Sequence, residues 1–399
     1  MHSSRSGQAS VRNTRASKAR SDAMSPLPTV QIGMTATPGR TGGLDRYFSD
    51  LVRALPSVDV AVRALVVGDG PDTFGPQPLM RSVAPGTVGM LQRWKALRQS
   101  VRSELRDGDL VVTHFAPYAF PVLDLVRAHP MVVHFHGPWA LEKASEGAGG
   151  LQTRARRLLE RTVYRRGAHV IVLTHAYGAI LQREYRVAPE RVHVVPGGVD
   201  LERFSAAGRR VDARQRLALP SDRPIVVTAR RLVPSKGVQN LIDAIGEVRR
   251  RIPDVLLAIA GGGPLANDLQ RLVRERDLAA NVVFLGYVGA QLPDVFRAAD
   301  LSVVPSASLE GFGLVVLESL AAGTPVLVTP VGGLPEVVRD LDAALIVDGV
   351  DAPTLARGIE AALTGATPMP NETVCRAYAE RFSWHAIALR VRDVYMLAQ

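Results

Sequence analysis

A single cysteine, Cys375, serves all 399 residues. That excludes an intramolecular disulfide and any cysteine-based metal cluster, and it suits a reducing compartment. Aromatic residues make up only 5% of the chain, so a nucleic-acid binder would find few platforms for stacking bases. No run approaches the ~18 apolar residues that a membrane-spanning helix needs. There is no fine internal repeat and little low complexity beyond the N-terminus. The loop after the first apolar run has no G-x-G-x-x-G fingerprint, which counts against a nicotinamide enzyme. What is present is 47% hydrophobic and 22% charged, a soluble globular composition. The chain is too long for one ordinary core, so two domains of roughly 180 residues are expected.

The net charge of +10 is unevenly spread. Residues 1–23 hold five Lys/Arg against one Asp, +4 of the total. They lack hydrophobic periodicity and read as disordered, with an Arg/Ser-rich make-up that mimics a transit peptide; translation from Met24 is the expectation. Two further basic stretches are helical. MLQRWKALRQSVRSELR (90–106) sets Leu91, Trp94, Leu97, Val101 and Leu105 on one stripe with Arg93, Lys95, Arg98, Arg102 and Arg106 around it, and LQTRARRLLERTVYRR (151–166) adds six arginines. Such faces are either solvated helix surfaces over a sheet or docking sites for anionic lipid headgroups.

From Pro28 onward, short apolar runs alternate with helix-length segments. VQIGM (30–34), VAVRALVV (60–67), LVVTHF (110–115), MVVHFH (131–136), HVIVLT (169–174) and VHVV (192–195) form one series. PIVVTA (224–229), VLLAIAG (255–261), VVFLG (282–286), LSVVP (301–305), PVLVTP (325–330) and AALIV (343–347) form a second. Continuously apolar strands separated by helices predict parallel sheets covered on both faces. Two series predict two doubly wound, Rossmann-like α/β domains in tandem. The expected division is a disordered basic extension over 1–26, a first domain over 27–204 and a second over 205–382. A final helix over 383–399 is placed back on the first domain. Ligands of such folds sit at the carboxyl ends of the strands, so the loops there carry the chemistry.

The first loop, TPGRTGGLDRY (37–47), ends in Gly42 and Gly43 before a helix. Paired glycines admit a ligand to the backbone, although a GG pair is as often only a tight turn. HFHGPW (134–139) puts His134 and His136 on one side of a strand. A hydrogen-bonded core histidine is the plain reading, but His136, at the strand's carboxyl end, is better placed for a cleft. TARRLVPSKG (228–237) gathers Arg230, Arg231 and Lys236 between a strand and a helix. Surface salt bridges account for any one of them; three together favour an anion site able to neutralise a diphosphate leaving group. AGGGPL (260–265) is another candidate close-approach turn.

The most specific feature is SLEGFGLVVLESLAAG (308–323). Glu310 precedes a helix and Glu318 lies inside it, flanked by apolar residues. Burying an unpaired carboxylate costs several kcal/mol, so Glu318 has a constant polar partner, protein or ligand. Carboxylates are strong acceptors for paired hydroxyls, and Phe312, Gly313 and Leu314 offer first-turn N–H groups beside them. Two acids near N–H donors read as a surface for recognising a sugar.

These residues resemble the retaining GT-B glycosyltransferases of family 4, the "glycosyl transferases group 1" class, over nearly all of 29–399. The strongest mark is Glu310, seven residues, then Glu318, within EGFGLVVLE. RLVPSKG (231–237), FLGYV (284–288), VPGGVDLERF (195–204), AAGTPV (321–326), GGLPE (332–336) and the N-terminal GG support it. The resemblance implies transfer of a hexosyl group from a UDP- or GDP-sugar to a glycan, glycolipid or small-molecule acceptor, with the anomeric configuration kept. It makes the first domain the acceptor domain and the second the donor domain. In similar enzymes the match of Glu318 binds ribose hydroxyls and the match of Glu310 contacts donor-sugar hydroxyls, helped by amides at Phe312, Gly313 and Leu314. Arg231 and Lys236 fall on diphosphate-gripping positions, Gly43 on a glycine near phosphate and acceptor, and His136 on a histidine near the donor sugar. Val288 would hold the base through its backbone. No cofactor and no metal are expected, and front-face attack with the departing phosphate as base is implied. The family often has Asn-Gly where Gly197-Gly198 stands and glycine where Arg230 stands.

An epimerase or phosphorylase on the same fold and a non-catalytic nucleotide- or nucleic-acid-binding protein are the alternatives. An epimerase needs no acceptor, and a phosphorylase needs a cofactor lysine that is not found. Nucleic acid is not an expected partner. The expected location is cytoplasmic or peripheral on the inner face of a membrane, in cell-surface polysaccharide synthesis.

Overall fold

The computed structural model describes residues 25–35, 42–68, 80–145, 149–205 and 208–399. Residues 1–24 of the basic extension and residues 37–41 of the first glycine loop lie outside them.

The first series of runs forms a seven-stranded sheet. Its strands are β1 (Leu27–Thr35), β2 (Val60–Val67), β3 (Met80–Ala84), β4 (Leu110–Thr113), β5 (Met131–Phe135), β6 (His169–Val172) and β7 (Val192–Val194), in the order β3-β2-β1-β4-β5-β6-β7. The second forms β8 (Ile225–Ala229), β9 (Leu256–Ala260), β10 (Val282–Gly286), β11 (Leu301–Val304) and β12 (Val326–Val328), ordered β10-β9-β8-β11-β12. All pairings between these strands are parallel. β4, β5, β8, β9, β11 and β12 are buried at every position, as continuously apolar strands under helices on both faces must be. Chain order reverses between β1 and β4 in one sheet and between β8 and β11 in the other.

Two details differ from the sequence reading. β3, with Arg81 and Ser82 in its middle, is an edge strand too polar to signal itself. The run 343–347 is not a ladder strand: Ala343–Leu345 is a 3₁₀ turn capped by Asp342, and only a bridge between Val328 and Ile346 joins it to β12.

The chain crosses between domains twice, and the crossings lie side by side. Val199 bridges to Ser383, and its N–H donates to the Phe382 carbonyl at 2.9 Å. After the second crossing the helix Trp384–Leu397 packs on the first domain, against the helix Gly43–Ala54, the turn after it and β6. Its Tyr395 is fully buried there. One apolar cluster runs from Tyr47, Leu51 and Val112 of the first domain to Phe312, Leu317 and Leu334 of the second.

Candidate active site

Both switch points face one seam, which the loops leaving β4, β8 and β11 and the start of the helix Gly43–Ala54 line. On the second domain's side, Pro305 ends the run after β11, and the loop swings through Ser306 and Glu310 to Gly313, which starts the helix Leu314–Ala321. Gly313 has φ 77°, a conformation that costs a side-chain-bearing residue about 1 kcal/mol or more. That kink brings the helix N-terminus, and with it the amides of Phe312, Gly313 and Leu314, to the seam. Gly43 at the start of the opposing helix lies so close that a Cβ there would be 3.9 Å from Leu314 Cδ1. A Cβ at Gly197 would come within 2.5 Å of Leu314 Cδ2. The Gly-Gly pair at 197–198 therefore fits the closeness of the two domains.

Glu310 is buried, 8% exposed, yet ionised. Burial pushes its carboxyl up, but the charges of Lys236 and Arg230 and hydrogen bonds from Lys236 and Ser306 outweigh that and hold it down at about 2. Lys236 Nζ donates to Oε2 at 2.9 Å, Ser306 Oγ at 2.7 Å, and Arg230 Nη2 pairs with the same oxygen. All three donors converge on Oε2, and no described residue bonds Oε1. Two cations on one carboxylate leave a net positive charge in the loop. Arg230 Nε and Nη1 are buried with no partner among the described residues, two spare N–H donors on different edges of the guanidinium. Arg231, the neighbour that carries the family resemblance, is exposed and outside this cluster.

Glu318 finds its partner across the seam. Arg46 Nη2, from the helix Gly43–Ala54, lies 2.8 Å from its Oε1 and 3.1 Å from Oε2. Burial pushes the Glu318 carboxyl up while Arg46 and Arg203 pull against it. The arginine is at the interdomain seam. Its Nε is a further buried donor without a partner among the described residues. Arg46 escaped sequence reasoning because nothing on a mixed helix face marks a partner 272 residues away.

More contacts stitch the seam. Thr174 Oγ1 donates to the Gly311 carbonyl at 2.8 Å. Glu336, from GGLPE, accepts from the N–H groups of His175 at 2.7 Å and Ala176 at 2.8 Å, capping the helix His175–Tyr185 from the other domain. A carboxylate there satisfies orphan donors and complements the helix dipole. Val288, half-buried after β10, already accepts at its carbonyl from Gln291 N–H at 2.9 Å. AGGGPL (260–265) packs rather than opens: a Cβ at Gly261 would lie 1.8 Å from the Arg230 carbonyl oxygen, so glycine there lets the arginine loop rest on its neighbour.

His136 follows β5 and is half-buried. Burial lowers it to about 4, so it is neutral. It stands with His114, after β4, and His134 of β5, all with ligating atoms within 4.8 Å of one another. The rings lie 17–24° from parallel. Most of their nitrogens face protein hydrogen-bond partners, His114 Nδ1 meeting His136 Nε2 edge to edge at 3.2 Å. The cluster is built as a hydrogen-bond relay.

Comparison with known proteins agrees with this arrangement. The model "Glycosyltransferase Family 4" matches residues 41–203, and "Glycosyl transferases group 1" matches 210–381. A D-inositol 3-phosphate glycosyltransferase of Streptomyces scabiei (strain 87.22) is 32% identical over 96% of this chain and 92% of its own length. The chain belongs to the family 4, group 1 glycosyltransferases. Within this glycosyltransferase, residues aligning to a GDP-mannose-dependent alpha-(1-6)-phosphatidylinositol monomannoside mannosyltransferase of Mycolicibacterium smegmatis are 40% identical, over 41% of this chain and 45% of that one. The fold is GT-B. Sucrose-phosphate synthase from Thermosynechococcus elongatus superposes with a TM-score of 0.77 at 25% identity, covering 93% of this chain and 98% of that one. HepE of Anabaena, in complex with UDP-glucose, superposes at 0.72 with 20% identity, covering 92% and 99%. Among the described residues no helix is long and apolar enough to cross a membrane.

Proposed function

We propose that this glycosyltransferase is a retaining, metal-independent hexosyltransferase. It moves mannose, glucose or a similar sugar from a UDP- or GDP-sugar to a glycan, lipid-linked or small-molecule acceptor in cell-surface polysaccharide synthesis. The observation that carries this reading is the state of Glu310: one carboxylate oxygen is held by three donors, and the other is left for a hydroxyl. Glu318 takes the ribose hydroxyls once Arg46 yields it, and Val288 holds the base through its backbone N–H. Arg231 and Lys236 grip the diphosphate, with the unpaired N–H groups of Arg230 beside them. The amides of Phe312, Gly313 and Leu314 meet the same ligand, Gly43 lets it approach the first domain, and His136 faces the donor sugar.

The chemistry asked of these residues is mostly electrostatic. The bond between the anomeric carbon and the phosphate oxygen breaks, and the negative charge that develops on the diphosphate is met by fixed cations and helix N–H groups. The acceptor oxygen attacks the same face, and its proton passes to the departing phosphate. No cofactor is needed. The GDP-mannose dependence named for one relative and the UDP-glucose complex of one fold neighbour support the two donor classes offered here.

A thermal-shift screen over UDP-, GDP-, ADP- and dTDP-sugars tests the reading. A donor at a hundredfold its Kd adds about 2.7 kcal/mol to native stability, so one class should raise the melting temperature clearly; no shift with any of them removes the proposal. For location, we propose a cytoplasmic protein peripheral on an anionic membrane surface. Leu91, Leu151 and Leu158 are 78%, 83% and 67% exposed on the two arginine-rich helices. Flotation with liposomes should require anionic lipid and weaken with salt; salt-insensitive or absent binding ends the membrane idea.

A further inference from the structure

Beneath His136 the first domain buries a chain of polar side chains that sugar transfer does not itself require. Thr29 and Gln31 stand two apart on β1 and so share a face. His114 and His134 lie beside them, closed over by Tyr47 and by Tyr395 from the last helix. None of these six is more than 2% exposed. Buried donors must meet acceptors, so one fixed end dictates the direction of each bond from Thr29 to His136.

The fixed end is the Ala61 carbonyl, which can only accept. Thr29 Oγ1 lies 2.9 Å from it and spends its hydrogen there. The Gln31 atom 3.2 Å from Oγ1 must then donate, so it is the amide nitrogen Nε2. This turns Gln31 Oε1, an acceptor, toward His114 Nε2 at 3.1 Å, which carries a hydrogen. Burial and the neighbouring histidines keep His114 neutral, so its Nδ1 is a lone pair. That lone pair faces His136 Nε2 at 3.2 Å, which must carry a hydrogen in turn. Neutral His136 is left with a bare lone pair on Nδ1, a buried atom with no partner among the described residues. A side branch runs from Gln31 Nε2 to Tyr395 Oη at 3.5 Å, on to His134 Nε2 at 2.9 Å, and from His134 Nδ1 to Tyr47 Oη at 3.2 Å. It has no fixed end, because in either direction one tyrosine hydrogen lacks an acceptor among the described residues.

We propose that Thr29, Gln31 and His114 are positioning residues that lock His136 in its Nε2–H tautomer, so that Nδ1 meets the donor sugar as an acceptor and selects a hydroxyl there. The proposal rests on the reading of His136 as a neighbour of that sugar. A site built to accept from a hydroxyl discriminates strongly against a sugar that lacks it, because the lone pair is then buried unpaired. The anchor lies on β1, far in sequence from the second domain, and it orients the acceptor through side chains alone.

Ring-nitrogen spectra of the ¹⁵N-labelled full-length protein at pH 7.5 decide the relay whatever the enzyme transfers. His114 and His136 should both show the Nε2–H pattern. His136 found as Nδ1–H, or as an even mixture, overturns the proposal. Thr29→Val keeps the shape and removes the anchor, and should shift His136 toward a tautomer mixture. Titration of UDP-glucose, GDP-mannose, UDP and GDP then separates positioning from damage. Thr29→Val should lose about fivefold to tenfold affinity for the sugar nucleotide that wild type binds, with affinity for the matching bare nucleotide unchanged. An equal loss for both overturns a role at the sugar. Should wild type bind none of the four, the sugar-transfer reading fails by itself, and the wild-type spectra still judge the relay.

Discussion

A carboxylate whose two oxygens have different jobs is sensitive to small changes. Glu310→Gln keeps the shape but weakens the hold of Lys236 and Arg230 on Oε2, and should cut turnover about 10²-fold while nucleotide affinity moves little; steady-state kinetics beside nucleotide titration measure both. Glu318 behaves differently because its partner comes from the other domain. Glu318→Ala strands Arg46, a half-buried cation, so the free protein should lose about 1–3 kcal/mol in a denaturant melt and nucleotide binding should weaken. Arg46→Ala should cost stability too, yet tighten nucleotide binding by removing a competitor. Weaker binding in Arg46→Ala would instead make Arg46 a ligand contact. At this scale the sequence was informative about acids and poor about their partners. Glu310 and Glu318 announce themselves by sitting in an apolar helix and just before it. Arg230 looks like a departure from the family pattern, and only the fold shows it against Glu310.

Elements were legible wherever one period dominated. The Val-rich strands are buried on both faces, and their alternation with helices implies the parallel sheets directly. β3 was missed because an edge strand with polar residues lacks that signal, and 343–347 was read as a strand because five apolar residues need not pair. The cap that Glu336 places on the helix His175–Tyr185 was invisible, since a carboxylate after Gly-Gly-Leu-Pro gives no hint of a helix end in another domain. Glu336→Ala should cost about 0.5–2 kcal/mol, the usual range for losing a helix cap, and widen the seam. Small-angle scattering of the unliganded protein would register that as a larger radius of gyration, and an unchanged radius would deny Glu336 a role in holding the domains together.

For the molecule as a whole, the buried histidines make stability depend on pH with a definite sign. Burial is the main cause that holds His114 and His134 well below 6.5 and His136 at about 4. Between 6.5 and about 4 the unfolded chain therefore takes up protons that the folded chain refuses. Their contribution to stability falls on acidification, by up to about 1.4 kcal/mol per pH unit for each histidine. Glu310, ionised down to about 2 when folded, extends the loss below 4.5. Carboxyls that burial raises in the fold oppose it: Asp50, pushed up to about 6, acts below that pH, and Asp45, Glu160 and Glu318 act just above their ordinary values. Melting temperatures should fall from pH 8 to pH 6, and His136→Phe should lessen the fall; a level wild-type profile over that range would contradict the neutral, buried cluster.

Tyr395, in the helix Trp384–Leu397, closes a network that starts at Thr29. On the ribosome, every strand of the second domain is therefore made before the first can seal its interior. Until the final helix emerges, Tyr47, Gln31 and His134 lie under an open apolar face, which chaperones would be expected to cover.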